Sequence, residues 1–248
     1  MRRRAGRPQL RRNQCGRVTD SHHVGHSSSP PILPIRSEAF LFDLDGVLVD
    51  SRAVVERTWR RWALRHAIDA DRLLRVAHGR RTRDTLRAVV PHLDVDREVR
   101  WLDAAELEDL EGVTPITGAC PLLSRLPSAA WAVVTSAGRT LAHRRLAAAG
   151  LPVPAVLVSS EDVAWGKPAP EGYRLAMERL GHGPTACLAF EDAPAGVQAA
   201  RAAGLRVIAL TTTHGRDQLR EADVVVRDLA ALTVQVVEDG FVITLIAP

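Results

Sequence analysis

The chain has 248 residues, of which 46% are apolar and 25% charged, ordinary values for a globular protein that buries its core in one or two domains. No apolar run is long enough to span a bilayer, and Cys15, Cys120 and Cys187 follow no pairing pattern, so neither a membrane span nor a disulfide framework is expected and a cytoplasmic setting is. The net charge of +4 hides an asymmetry: residues 1–37 carry eight Arg against one acid, or +7, while the rest has 25 basic and 28 acidic residues, or −3.

Residues 1–37 are rich in Arg, Ser, Pro and His and lack apolar periodicity. A disordered, dispensable basic tail is expected there. Because the remainder is net acidic and has no aromatic–basic stripe, no nucleic-acid partner is expected. Phe40–Leu44 is an apolar run that reads as a buried strand. Asp43 and Asp45 stand where it ends, two apart and therefore pointing the same way on extended chain. Like charges that close repel unless a cation or a proton intervenes. Hard carboxylate ligands suit Mg²⁺. Gly46 then permits a sharp turn.

Asp50 or Ser51 can cap a helix reaching about His66. Helical spacing continues at Leu73–Val76, Thr85–Val90 and Val99–Leu110, and Gly112 and Pro115 close the region. Residues 52–113 thus read as a helical insert, with Trp59, Trp62 and Trp101 spaced to form its core. Gly79 interrupts the pattern and leaves His78, Arg80 and Arg81 on a turn.

A βα rhythm follows, with strands at Ala130–Val134, Ala155–Val158, Cys187–Phe190, Arg206–Leu210 and Asp223–Val226. Helices are expected at Leu141–Ala149, Glu171–Leu180 and Pro194–Ala203. Continuous apolar strands alternating with helices mean an α/β fold whose parallel sheet is covered on both faces. Glu238-Asp239-Gly240 between two apolar runs reads as a terminal β-hairpin. Ligands in such sheets bind beyond the carboxyl ends of the strands. Those ends carry Asp43 and Asp45, then Thr135 and Ser136, then Lys167 in a loop, then Glu191 and Asp192. Lys167 is the one Lys among 33 basic residues, which suggests a position that needs a compact ammonium.

FDLDGVLVDS resembles the first motif of the haloacid dehalogenase superfamily in the form its phosphatases carry, and VVTSA, GKPAP and FEDAPAGVQAA resemble the second, third and fourth. The resemblance spans about residues 38–232. It implies a Rossmann-like parallel sheet core at 38–51 and 114–232, a helical cap at 52–113 inserted after the first strand, and a hairpin at 233–248. It also implies Asp43 as nucleophile and Asp45 as general acid/base, with Thr135, Ser136 and Lys167 binding phosphate. Mg²⁺ is then held by Asp43, the backbone carbonyl of Asp45 and Asp192, with Glu191 beside them, and His78, Gly79 and Arg80 face the substrate from the cap. Dehalogenases of the superfamily lack an acid at the Asp45 position. SSEDVAWGKPAPEGY and FEDAPAGV are most similar to sugar phosphatases, glycerol-3-phosphatases and beta-phosphoglucomutases. The expected activity is Mg²⁺-dependent hydrolysis of a small sugar or polyol phosphate through an aspartyl-phosphate, by a monomer that binds no membrane. The alternative is a phosphosugar mutase with the same core.

Overall fold

A computed structural model describes residues 34–246 except His78. The chain begins with β1 (Ile35–Ser37) and β2 (Ala39–Phe42), and β3 (Val49–Asp50) then leads into the helices. These are α1 (Arg52–Arg65), α2 (Ala70–Ala77), α3 (Thr82–Val89) and α4 (Val95–Glu108). Strand β4 (Thr114–Pro115) returns antiparallel to β3. Next come α5 (Ala119–Leu123), β5 (Trp131–Val134), α6 (Arg139–Ala148), β6 (Val156–Val158), α7 (Glu171–Leu180), β7 (Cys187–Glu191) and α8 (Pro194–Ala202). The chain closes with β8 (Arg206–Leu210), β9 (Val224–Val226), β10 (Leu232–Val237) and β11 (Gly240–Leu245). No helix among the described residues is long and apolar enough to cross a membrane.

The main sheet has six parallel strands in the order β6-β5-β2-β7-β8-β9. The chain builds outward from β2 on one side, then crosses to β7 and builds outward on the other. The carboxyl end of β2 is therefore the topological switch point, where such sheets open a crevice.

Alternation along β2 divides the core. Phe40 and Phe42 face α5, α6 and a small antiparallel sheet, β1-β11-β10. Ala39 and Leu41 face α7 and α8. Phe42 stacks on Phe190 with ring centroids 4.6 Å apart, locking β2 beside β7 just below the switch point. Truncating a buried Phe costs about 3–5 kcal/mol.

Residues 35–37 correct the expectation of a tail ending at 37. Ile35, Arg36 and Ser37 pair with Ile243, Val242 and Phe241, and Ser37 is buried with its hydroxyl donating to Ala39 O and Ala186 O. The expected tail at 1–33 lies outside the described residues. The terminal hairpin begins one residue early, at Leu232, and Val234, Phe241 and Ile243 belong to the same core as Phe40, so it is a layer of the main body. At the first helix Asp50 accepts from the N–H of Arg52, the first residue of α1, whereas Ser51 makes no side-chain cap because its Oγ donates to Asp45 instead.

The four helices after β3 have their own core of Trp59, Trp62, Leu73, Leu86 and Leu102. Trp62 Nε1 donates to buried Glu98 at 2.8 Å. Trp101 is only partly buried, with the Arg65 guanidinium over its ring.

Candidate functional site

Asp43 follows β2 at the switch point, and its backbone N–H donates to Phe190 O. Its side chain is buried, and Lys167 Nζ lies 2.8 Å from its Oδ1. The same ammonium donates to Glu191 Oε1 at 2.6 Å. Tyr173 hydroxyl donates to that oxygen as well, and the Asp192 N–H donates to Glu191 Oε2. Burial opposes the charge on Lys167, but Asp43 and Glu191 outweigh it and hold the ammonium protonated. Burial pushes the Asp43 carboxyl up to about 7 against the opposing pull of Lys167, with the charge of Glu191 adding to the rise. Burial, then the charges of Asp43 and Glu191, raise Asp192 well above the usual carboxylate range.

Asp45 has both carboxylate oxygens engaged: Oδ1 accepts from Ser51 Oγ at 2.7 Å and Oδ2 from Arg145 Nη1 at 2.8 Å. Between the two Asp residues and the helical insert lies a cleft of about 370 Å³. Asp43, Asp45, Thr135, Ser136 and Asp192 line it from the core, and Trp59, Gly79, Arg80 and Glu106 from the insert. Contacts at Gly79, Arg81 and Glu106 help seat the insert on the core. Ser136 Oγ donates to Gly79 O at 3.1 Å. Arg81 donates to Val163 O and Ala164 O while paired with Asp84. Arg145 Nη2 donates to Glu106 at 2.9 Å.

The model of the haloacid dehalogenase-like hydrolase family matches residues 38–204. The chain belongs to this family. Hexitol phosphatase A of Escherichia coli (strain K12) is 42% identical to the hydrolase over 214 residues, covering 84% of this chain and 99% of that protein. Validoxylamine A 7'-phosphate phosphatase of Streptomyces hygroscopicus subsp. limoneus is 38% identical over 197 residues, covering 76% of this chain and 92% of that one. Among solved structures, a hydrolase from Pseudomonas syringae superposes with a TM-score of 0.71 at 25% identity, covering 78% of this chain and 94% of the other.

Oxygens of Asp43, Glu191 and Asp192 lie within 4.8 Å of one another in the hydrolase. Three buried carboxylates face one ammonium, an excess of negative charge that a divalent cation offsets. Asp192 Oδ1 is buried without a hydrogen-bond partner. Gly46, at φ +89°, passes so close that an added Cβ would sit 2.1 Å from Asp192 Oδ2, so glycine leaves the carboxylate its space. An orphaned hard oxygen in an all-oxygen donor set fits Mg²⁺. Glu191 is the most heavily engaged of the three, and its bonds place Lys167 as much as they serve a cation.

Other expected site residues fall as follows. Thr135 Oγ1 accepts from the Ala137 N–H at 3.0 Å, closing the loop after β5, and Ser136 joins core to insert. Gly79 and exposed Arg80 line the cleft, while His78 lies outside the described residues. Sequence reasoning missed Arg145, Glu106, Ser51 and Tyr173. Arg145 did leave a signal: it shares the buried face of α6 with Leu141, Ala142 and Leu146, a stripe where an apolar residue is the rule.

Proposed function

We propose that the hydrolase is a Mg²⁺-dependent phosphatase of small sugar or polyol phosphates, acting in the cytoplasm as a monomer through a phospho-Asp43 intermediate. One observation carries the reading: Asp43, at the switch point, is held by the buried Lys167 ammonium and shares its carboxylate cluster with Asp192, under a cleft roofed by the helical insert. The kinship to a hexitol phosphatase supports the substrate class.

Asp43 Oδ forms a bond to phosphorus as the ester P–O bond breaks, and the leaving alkoxide takes a proton from Asp45. Water then attacks the phosphorus of phospho-Asp43, giving its proton to Asp45 and releasing phosphate and the free carboxylate. Lys167 offsets the charge that accumulates between Asp43 and the phosphoryl oxygens. Thr135, Ser136 and the backbone around them bind the remaining oxygens, and His78, Gly79 and Arg80 face the sugar. Asp43, the backbone carbonyl of Asp45 and Asp192, with Glu191 beside them, would hold Mg²⁺, which when bound lets an anionic nucleophile and an anionic ester approach. The scattered cysteines suit a reducing compartment.

The test is a phosphate-release screen over hexitol, hexose, glycerol and nucleotide monophosphates with and without Mg²⁺, on the wild type and Asp43→Asn. Release from polyol or sugar esters is expected, lost on chelation and abolished in Asp43→Asn, whose amide is a poor nucleophile. Comparable release by folded Asp43→Asn refutes the mechanism. Interconversion of sugar phosphates without phosphate release would establish the mutase in its place.

A further inference from the structure

Arg145 takes no part in the reaction just described, yet it stands where the two halves of the site meet. It projects from α6 of the core, and its side chain is only 4% exposed. One arm of its guanidinium binds Asp45 and the other binds Glu106, a buried residue of α4 in the insert. Ser51 takes the second oxygen of Asp45, so both oxygens are held. Asp45 and Glu106 would repel each other without a cation between them, and a planar fork can serve two carboxylates at once where an ammonium acts as a point charge. The arrangement is costly: a charge is buried and Arg145 Nε has no hydrogen-bond partner. A well-packed apolar set in place of all three charged residues would serve fold stability as well or better.

The geometry points to Arg145 as a positioning residue that ties the seating of the insert to the placement of Asp45. With the insert seated, Glu106 draws one arm of the fork and Asp45 is held by a single guanidinium N–H. With Glu106 withdrawn, both arms turn to Asp45 and hold it away from the leaving oxygen. The inference rests on the proposed role of Asp45 in proton transfer.

The experiment uses the full-length protein with Mg²⁺ and compares kcat/KM for a hexitol phosphate with that for 4-nitrophenyl phosphate. This ratio reports events up to the first irreversible step, and an aryl oxide leaves without needing a proton. Arg145→Met is expected to lower kcat/KM about 10²-fold for the alkyl ester and less than about fivefold for the aryl ester, the pattern of lost acid catalysis. Arg145→Lys should recover part of the loss, Glu106→Gln should show a smaller loss of the same selectivity, and inhibition by inorganic phosphate should be unchanged. Should Arg145→Met fail to fold, Arg145→Met/Glu106→Gln removes both buried charges together and must show the same selectivity. Equal losses on both esters, no loss on either, or weakened phosphate inhibition in step with activity overturns the assignment. Wild-type protein that hydrolyses neither ester overturns the phosphatase reading and this one with it, whereas equal losses from an active wild type leave the phosphatase reading standing.

Discussion

Gly196→Ala should damage this protein even though alanine is the better helix former. Gly196 lies in the first turn of α8, where replacing Gly by Ala in a helix ordinarily gains about 1 kcal/mol. Here the new Cβ would lie 2.0 Å from Glu191 Oε1 and its carboxylate carbon. Glu191 is fully buried and has nowhere to retreat without giving up Lys167 Nζ at 2.6 Å and Tyr173 hydroxyl at 2.5 Å. Two hydrogen bonds to a charged group are worth about 1.5–3 kcal/mol each, so after the helix gain the net cost is about 2–5 kcal/mol. Urea unfolding of the wild type, Gly196→Ala, Glu191→Ala and the double variant would measure it. Once Glu191 is truncated, the alanine at 196 should be neutral or stabilising by up to about 1 kcal/mol, giving a coupling of about 2–6 kcal/mol. Activity should fall with stability in the single variant, since the partner that fixes Lys167 has moved. A Gly196→Ala protein as stable and active as wild type would refute the claim that this glycine exists to make room for Glu191.

Arg80→Ala should lower kcat/KM for the best sugar phosphate by about 1–3 kcal/mol, the scale of a lost charged hydrogen bond, and spare a small aryl phosphate; equal losses would move Arg80 to folding or phosphate binding. Truncation through residue 37 should destabilise the protein relative to a chain starting at Pro34. Losing β1 and the two hydrogen bonds of Ser37 costs about 2 kcal/mol, a fall in Tm of about 4–8 °C, and identical melting of the two chains would count against a structural role for β1. Asp162 provides a pH test. Burial opposes its ionisation, but the Ser159 N–H and hydroxyl, with Arg179 and Arg139, hold its pKa at about 2. A depressed carboxylate pKa stabilises above the ordinary value of 3.8 and loses that contribution as pH falls toward 2. Asp162→Asn should therefore cost about 2 kcal/mol in unfolding free energy at pH 7 and roughly half that at pH 3, and a pH-independent difference would show that the charge is not what matters.

The parts of the fold visible in the sequence are those where a single residue type repeats with the period of its element. Strand β2 and the strands beside it are continuous apolar runs because both faces are covered, and Asp43 is conspicuous because it breaks such a run where the cleft begins. Lys167 stood out as the one lysine. Strands β1, β3 and β4 were invisible because they are two or three residues long and, unlike the equally short β6 and β9, are not continuous apolar runs. Ser51 looked like a helix cap since its local neighbours suit one, but a carboxylate six residues earlier competes for its hydroxyl and wins. The bridge from Asp45 through Arg145 to Glu106 joins residues 100 and 39 positions apart. Only the folded chain brings them together.

Strands β3 and β4 form the stem of a hairpin whose loop is the whole helical insert. Val49 faces Pro115 and Asp50 faces Thr114, so the chain leaves the core and comes back to it at adjacent points. The closure entropy of a loop grows only slowly with its length, so the core is nearly indifferent to how much chain is threaded between those two strands. Excising residues 51–113 and joining the stem by a tight turn would leave every strand of the main sheet with the same neighbours. Asp43, Asp45, Thr135 and Asp192 line the cleft from the sheet side of the stem, and Trp59, Gly79, Arg80 and Glu106 line it from the loop side. Such an architecture lets the roof over the cleft be lengthened, shortened or exchanged as a cassette while the chemistry beneath it stays in place.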